Sequence, residues 1–359
     1  MEPIKKICAI DFVLNKQIGG PYINSKRIMS SGLNAYYEFR PIFHDLSLGR
    51  GVSFKRIRDI ASQLKAANPD IFLINGLQLG AFHSLLASFM SGKRKNLIII
   101  RGFSFDALDI SLFKRAIMLF IIEPLSILLS DGFIGNSKFS STRLISRIFF
   151  WKNKGFVYNF MPVGNDENYE IERNLINFTK QHRTIISVVG RVTKDKGYEV
   201  LLSSIAEISK KRTDFLFVIA GDGAYLNEFK ERVKSLELDR YVFFLGETKN
   251  ISLINHYASI FVLPSLHETL SSSLIEASSA RCALVASDNG GIREIVQHGY
   301  NGFRFRTGDP KELADRIISL LENKTLTRCM GENAKEFINK RFSNFNSERL
   351  LKNFLDHTS

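Results

Sequence analysis

What most constrains the fold of this chain is an alternation that occurs twice. Apolar, β-branched runs of strand length stand at 7–13, 71–74, 97–100, 132–134 and 155–158. Stretches of helical period lie between them, such as Phe54–Ala67, which runs into Asn68-Pro69-Asp70. Proline cannot continue a helix and disfavours the right-handed region for the residue before it, so Asn68 is expected to be extended. After a polar break at 162–183, the alternation restarts with runs at 184–189, 215–220, 242–245, 260–263, 283–286 and 303–305. Strands alternating with helices specify parallel sheets covered on both faces. The expectation is an α/β chain of two doubly wound, Rossmann-like domains: 1–165, a linker at 166–182, and 183–343. The wholly helical end, 310–359, would send its last helix (around 344–359) back onto the first domain. Ligands of such sheets lie beyond the carboxyl ends of the strands.

Composition narrows the class. The chain has 359 residues, of which 45% are hydrophobic and 24% charged, which is ordinary for a globular protein. Its net charge of +13 is uneven: residues 1–165 hold 22 Lys/Arg against 10 Asp/Glu, and the rest hold 27 against 26. A basic half implies an anionic partner (nucleic acid, an acidic membrane surface or a phosphorylated substrate) or else a lysine-rich solvated surface. The three cysteines are odd in number and scattered. They fit neither a disulfide framework nor a metal site, and point to a reducing cytosol. The first apolar run is broken at Asp11, and 117–129 contains Glu123 and Pro124. Neither segment reads as a secretory leader or a membrane span, so a cytosolic protein is expected.

The loops after the second-domain runs hold the chemistry. Gly190-Arg191-Val192-Thr193-Lys194-Asp195-Lys196-Gly197 sets Arg191 and Lys196 between two glycines at a strand-to-helix junction. Two cations there can clamp a diphosphate; a solvated turn is the alternative. Ala220-Gly221-Asp222-Gly223 permits a tight turn and close approach. Pro264-Ser265-Leu266-His267-Glu268-Thr269-Leu270-Ser271 leads into a helix carrying Glu276. Glu268 can accept hydrogen bonds from sugar hydroxyls and Glu276 from a ribose diol. Thr269, Leu270 and Ser271 offer backbone N–H groups at the positive end of that helix. The alternative is a capped helix with two surface glutamates. Asp288-Asn289-Gly290-Gly291-Ile292-Arg293-Glu294 and His298-Gly299-Tyr300-Asn301-Gly302 form further loops at the same sheet end.

Together these residues resemble the glycosyltransferases of the GT-B fold, specifically glycosyltransferase family 4. Gly190, Arg191, Lys196 and Gly197 match the family's phosphate-clamping loop, Glu268 and Glu276 its glutamates spaced by seven, and Gly290, Gly291 and Glu294 the following loop. The resemblance implies two domains facing a central cleft, a nucleotide-sugar donor (UDP- or GDP-linked) on the second domain, and retention of anomeric configuration. It departs from the family in two places. Ser271 and Ser273 stand where glycine and proline are frequent, and Ala280-Arg281-Cys282-Ala283 replaces a frequent Cys-Gly-x-Pro. No Asp-x-Asp triplet occurs, so no metal and no cofactor besides the co-substrate is expected.

In the first domain, Gly19-Gly20-Pro21 resembles the family's glycine loop, with an ordinary turn as the alternative. Asn75-Gly76 with His83, and Arg101-Gly102, resemble a bacterial branch that builds cell-surface polysaccharide such as O-antigen, capsule or lipopolysaccharide. Gly19, Gly20, Arg101 and His83 are therefore candidates for the acceptor side, although His83, set among Leu and Phe, reads more readily as a core histidine than as a catalytic one. The stretch 111–154 mixes Lys114, Arg115, Lys138, Arg143, Arg147, Lys152 and Lys154 with Phe113, Phe120, Phe149, Phe150 and Trp151. Such helices either rest on an anionic bilayer or pack as amphipathic elements with solvated heads. Because the family's acceptors are commonly lipid-linked, a peripheral position on the cytoplasmic face of the inner membrane is expected. A nucleic-acid partner is not expected, since no zinc motif or base-stacking strand occurs. A catalytically inactive nucleotide-sugar-binding protein and a GT-B epimerase remain the rival readings.

Overall fold

The structure is a computed structural model that describes residues 5–13, 20–49, 51–92, 94–106, 111–161, 169–181, 183–248 and 250–357. The chain divides into two units, one of Met1–Phe160 with Ser343–Ser359, the other of Met161–Phe342.

Unit 1 holds β1 (Lys6–Val13), β2 (Tyr37–His44), β3 (Ile71–Asn75), β4 (Lys95–Ile100), β5 (Gly132–Gly135) and β6 (Asn153–Phe156). They form one parallel sheet ordered β2-β1-β3-β4-β5-β6. The central strands are buried on both faces and read as unbroken apolar runs, as parallel strands do. The sequence runs did not reveal β2, whose Glu38, Arg40 and Pro41 break any apolar pattern. It lies at the edge of the sheet, where proline and charge are tolerated. β6 starts two residues before the run at 155–158, with an irregular register against β5 and Gly155 at φ +97°.

Helix Phe54–Ala67 is capped at its start by Ser53, whose hydroxyl accepts from the Arg56 N–H. At its other end Asn68 is left-handed (φ 40°, ψ 57°) and not extended as its place before proline leads one to expect. The clash with proline excludes the right-handed helix only, and asparagine tolerates the left-handed C-cap.

Unit 2 holds β7 (Thr184–Val189), β8 (Phe215–Ala220), β9 (Val242–Gly246), β10 (Ile260–Leu263), β11 (Ala283–Ser287) and β12 (Gly302–Phe305). Their order, β12-β11-β10-β7-β8-β9, is that of the doubly wound dinucleotide fold, with the switch point between β7 and β10. Where a linker was expected at 166–182, helix Tyr169–Lys180 packs into unit 2, with Leu175 buried and the Phe178 ring 5.0 Å from that of Phe243.

The last helix, Asn344–His357, belongs to unit 1. Leu351, Phe354 and Leu355 share a core with Cys8, Ile10, Tyr37 and Leu97. The Tyr37 hydroxyl donates to Asp356 (2.7 Å), and the Gly32 N–H donates to Glu348 (2.9 Å). Leu351 is fully buried, so Leu351→Ala should cost unit 1 about 3 kcal/mol. The single tryptophan, Trp151, lies in unit 1, so its fluorescence in a urea titration reads that loss directly.

Candidate functional site

The switch point of unit 2 gathers the loops that follow β7, β8, β10 and β11. After β7 the chain passes through Gly190, Arg191 and Val192 into a short turn at Lys194–Lys196, and Gly197 opens helix Tyr198–Ser209. Gly197 sits at φ +73°, and a Cβ there would come within 2.0 Å of the Pro264 carbonyl oxygen. A Cβ on Gly221 would come within 1.9 Å of the Gly190 carbonyl oxygen. Both contacts are with backbone, so no other residue fits without moving a loop.

Backbone hydrogen bonds lace the same loops together. The Gly190 N–H donates to Ala220 (3.0 Å), Val192 to Asp222 (2.9 Å), Leu266 to Asp195 (2.9 Å) and Gly291 to Glu268 (3.0 Å). Asn289, which in the sequence is only one residue of its loop, staples three segments. Its amide donates to the Ser265 carbonyl (2.8 Å), the Ser287 hydroxyl (3.0 Å) and the Thr307 hydroxyl (3.3 Å). An Asn between a charged residue and two glycines reads as turn chemistry, which hides this role.

This lacing brings Lys196 to Glu268. The Lys196 ammonium donates to Glu268 Oε1 (2.7 Å), and the Ser265 hydroxyl donates to the same oxygen (3.0 Å). The side chains of Lys196 and Glu268 are 19% and 13% exposed, so little water screens the pair. Ser265 is fully buried, which fixes its hydroxyl. Arg191 stays exposed beyond β7 with no side-chain partner among the described residues.

Ser271 caps helix Ser272–Ser279 by accepting from the Leu274 N–H (3.2 Å), and Glu276 is buried within that helix. Thr269 and the buried Leu270 lie between Glu268 and the cap. At φ −96° Ser271 occupies ordinary backbone space, so serine in place of glycine carries no strain and adds a cap. The other departure differs: Arg281 is held at φ +66°, a left-handed geometry that glycine adopts freely. Its guanidinium donates to Glu332 (2.9 Å).

Toward the β12 edge, Asp288, Arg293, His298, Arg304 and Arg306 line an open cleft of about 530 Å³. Asp288 accepts there from Arg293 (2.8 Å) and Arg304 (2.9 Å), which fixes both cations on one carboxylate.

Unit 1 places its candidates differently. Gly19 lies outside the described residues. Gly20 begins helix Gly20–Met29, and a Cβ there would meet nothing within 4 Å. Arg101, after β4, donates to Asn75 (3.0 Å) and Asn159 (2.7 Å), and burial lowers its pKa to about 10. Asn75 in turn donates through its backbone N–H and its side chain to the buried Asp11 (2.7 and 2.9 Å). His83 is buried, with Nε2 accepting from the Ser53 N–H (2.9 Å) and Nδ1 facing the Leu79 carbonyl (2.6 Å). Both ring nitrogens are thereby engaged inside unit 1, which is the geometry of a core histidine.

Residues 171–337 match the family model described as glycosyl transferases group 1. The chain is 28% identical over 203 residues to N-acetyl-alpha-D-glucosaminyl L-malate synthase of Bacillus anthracis, covering 55% of this chain and 51% of that protein. It is 23% identical over 289 residues to the capsular polysaccharide biosynthesis glycosyltransferase CapM of Staphylococcus aureus, covering 76% and 73%. With 2-deoxystreptamine N-acetyl-D-glucosaminyltransferase of Niallia circulans the match covers 43% of this chain and 40% of that one. The match thus spans about half or less of the Bacillus and Niallia proteins. The fold is that of Anabaena HepE solved with UDP and glucose, with a TM-score of 0.78 at 17% identity over 98% and 99% of the two chains. Sucrose-phosphate synthase from Thermosynechococcus elongatus shares it, with a TM-score of 0.76 at 16% identity over 98% of each. The architecture is GT-B, and its second unit carries the family's signature. Over residues 171–337 the chain is similar to the glycosyl transferases group 1.

Gly197→Ala should destabilise unit 2 by at least about 2 kcal/mol, read by circular dichroism in urea. The Trp151 transition of unit 1 should stay in place. For His83, burial lowers the pKa from 6.5. The unfolded chain therefore takes up a proton that the native one refuses, and stability falls as pH drops through 6.5 towards the lower native value. Urea midpoints of unit 1 at pH 7 and pH 5 should diverge for the wild type, and less for His83→Gln.

Proposed function

We propose that the protein transfers a hexose-type sugar, with retention, from a nucleotide-diphosphate sugar to a saccharide acceptor in the making of cell-surface polysaccharide. The observation that carries this reading is the meeting of Lys196 with Glu268 at the β7/β10 switch point, with Arg191 open beside it in the same loop. An ammonium and a guanidinium there can neutralise the diphosphate as negative charge develops on it, a stabilisation of several kcal/mol. Glu268, fixed by Lys196 and Ser265, is placed to accept from sugar hydroxyls, and Glu276 from the ribose. In the reaction the bond from the anomeric carbon to the phosphate oxygen breaks, and one to the acceptor oxygen forms on the same face. The acceptor's proton passes to the departing phosphate. No Asp-x-Asp triplet exists to hold a bridging cation, so the two basic side chains take that part without a metal.

Arg101, positioned by Asn75 and Asn159, is the acceptor-side cation in this reading. The likeness to the capsule glycosyltransferase CapM favours a polysaccharide acceptor, and the UDP held by HepE favours a uridine nucleotide over a guanosine one. A lipid-linked acceptor would place the enzyme at the cytoplasmic face of the membrane.

A thermal-shift panel of nucleotide sugars tests the donor, since a ligand of the folded state raises Tm by mass action. With the donor so found, turnover should persist in EDTA. Arg191→Ala and Lys196→Ala should each lower kcat by about a hundredfold or more, with the fold intact. Near-normal kcat in both variants would refute the clamp. Binding without transfer or donor hydrolysis in an extract of acceptors would favour the inactive sensor.

A further inference from the structure

The helical stretch from Leu112 to Leu129, which includes one π turn at Met118–Ile122, is turned inside out. Its buried side carries Glu123, Ser126 and, just beyond, Ser130, beside Ile122 and Ile127. The fully buried carboxylate of Glu123 accepts from the Ser104 N–H (2.7 Å), which anchors the helix in this orientation. Its outer side carries Leu112, Phe113, Phe120, Ile121, Leu125 and Leu128, with Phe113 and Phe120 each about three-quarters exposed. A helix on a water-facing surface shows the opposite distribution, with apolar residues inward and charge outward. Between Ala116 and Leu129 no charged side chain faces out at all.

The segment that follows β5 extends the same apolar surface. At the helix's carboxyl end the Lys152 ammonium donates to the Leu128 carbonyl (2.8 Å), which ties down the segment carrying Phe150 and Trp151, both more than half exposed. At its amino end Arg115 bonds the Phe105 carbonyl, and Arg143 lies over the Phe105 ring (5.6 Å), which brings in the exposed Leu144. Cations rim this surface: residues 111–154 hold seven Lys/Arg against two Asp/Glu, and Glu123, one of the two, is buried. Apolar side chains with aromatic and basic residues at the margin match the boundary between acyl chains and anionic headgroups. Among the described residues no helix is long and apolar enough to cross a membrane, so the match is with a surface and not a span.

We infer that the outer face of Leu112–Leu129, with Phe150 and Trp151, inserts into one leaflet of an anionic lipid bilayer. This deepens the reading of a lipid-linked acceptor, since it sets unit 1 on the surface where such an acceptor lies.

Trp151 is the only tryptophan and stands in the proposed contact, so the wild-type chain reports on itself. Vesicles containing phosphatidylglycerol should shift its emission to the blue, and brominated acyl chains should quench it. Pure phosphatidylcholine vesicles should do so at least tenfold more weakly. Phe113→Ser with Phe120→Ser should lower vesicle affinity by about a hundredfold, tenfold or more per ring, with Tm unchanged. Three results would overturn the inference: no shift or quenching with anionic vesicles, equal binding by wild type and variant, or a dimer in analytical ultracentrifugation that the two serines dissolve while vesicles have no effect. The last would seat a second copy of this chain on the face. Thermal shift by the donor on the same samples keeps the two readings apart. Vesicle binding lost with the donor shift retained counts against the membrane face alone, and the converse counts against the donor site alone.

Discussion

A single missing carbon organises the candidate site. The loop after β7 and the loop after β10 touch because residue 197 has no Cβ, which would otherwise stand 2.0 Å from the Pro264 oxygen. That contact lets the Leu266 N–H reach Asp195 and the Lys196 ammonium reach Glu268. The strands concerned are neighbours in the sheet although far apart in sequence, because the winding reverses direction between them. The crossover creates the crevice, and the glycine keeps it narrow enough for an ammonium and a carboxylate to bridge it.

Glu268 consequently has two duties that compete. Its Oε1 atom is occupied by Lys196 and Ser265, so the carboxylate orients the cation and is itself oriented. A buried charge that lost this partner would be costly, and hydrogen-bonded pairs of this kind fix geometry more than they add stability. Precision at the anchor contrasts with freedom at Arg191, which is solvent-exposed. One cation is held in place and the other is open to solvent.

The strands of both sheets were legible because a parallel strand buried on both faces must be apolar at every position, as in Phe215–Ala220. β2 was not, since an edge strand needs no such run. The residue types of the loops were also legible: paired cations, spaced glutamates and glycines at strand ends. What the linear sequence could not give was which loops meet. The Lys196–Glu268 bond, the Asn289 staple and the Asp11–Asn75–Arg101 chain each join strands that become neighbours only in the finished sheet. The same limit applies to Leu112–Leu129, where the pattern announces two unlike faces without saying which one the core takes.

The return of Asn344–His357 to unit 1 makes unit 2 an insertion between the two pieces of its companion. On the ribosome all of Met161–Phe342 emerges before the helix that covers Cys8, Ile10 and Leu97 exists. The earlier-made sheet therefore waits with that face open while the later-made one has every segment it needs to close. Maturation of this chain runs against its order of synthesis, and the half made first keeps an apolar face uncovered until the final helix arrives.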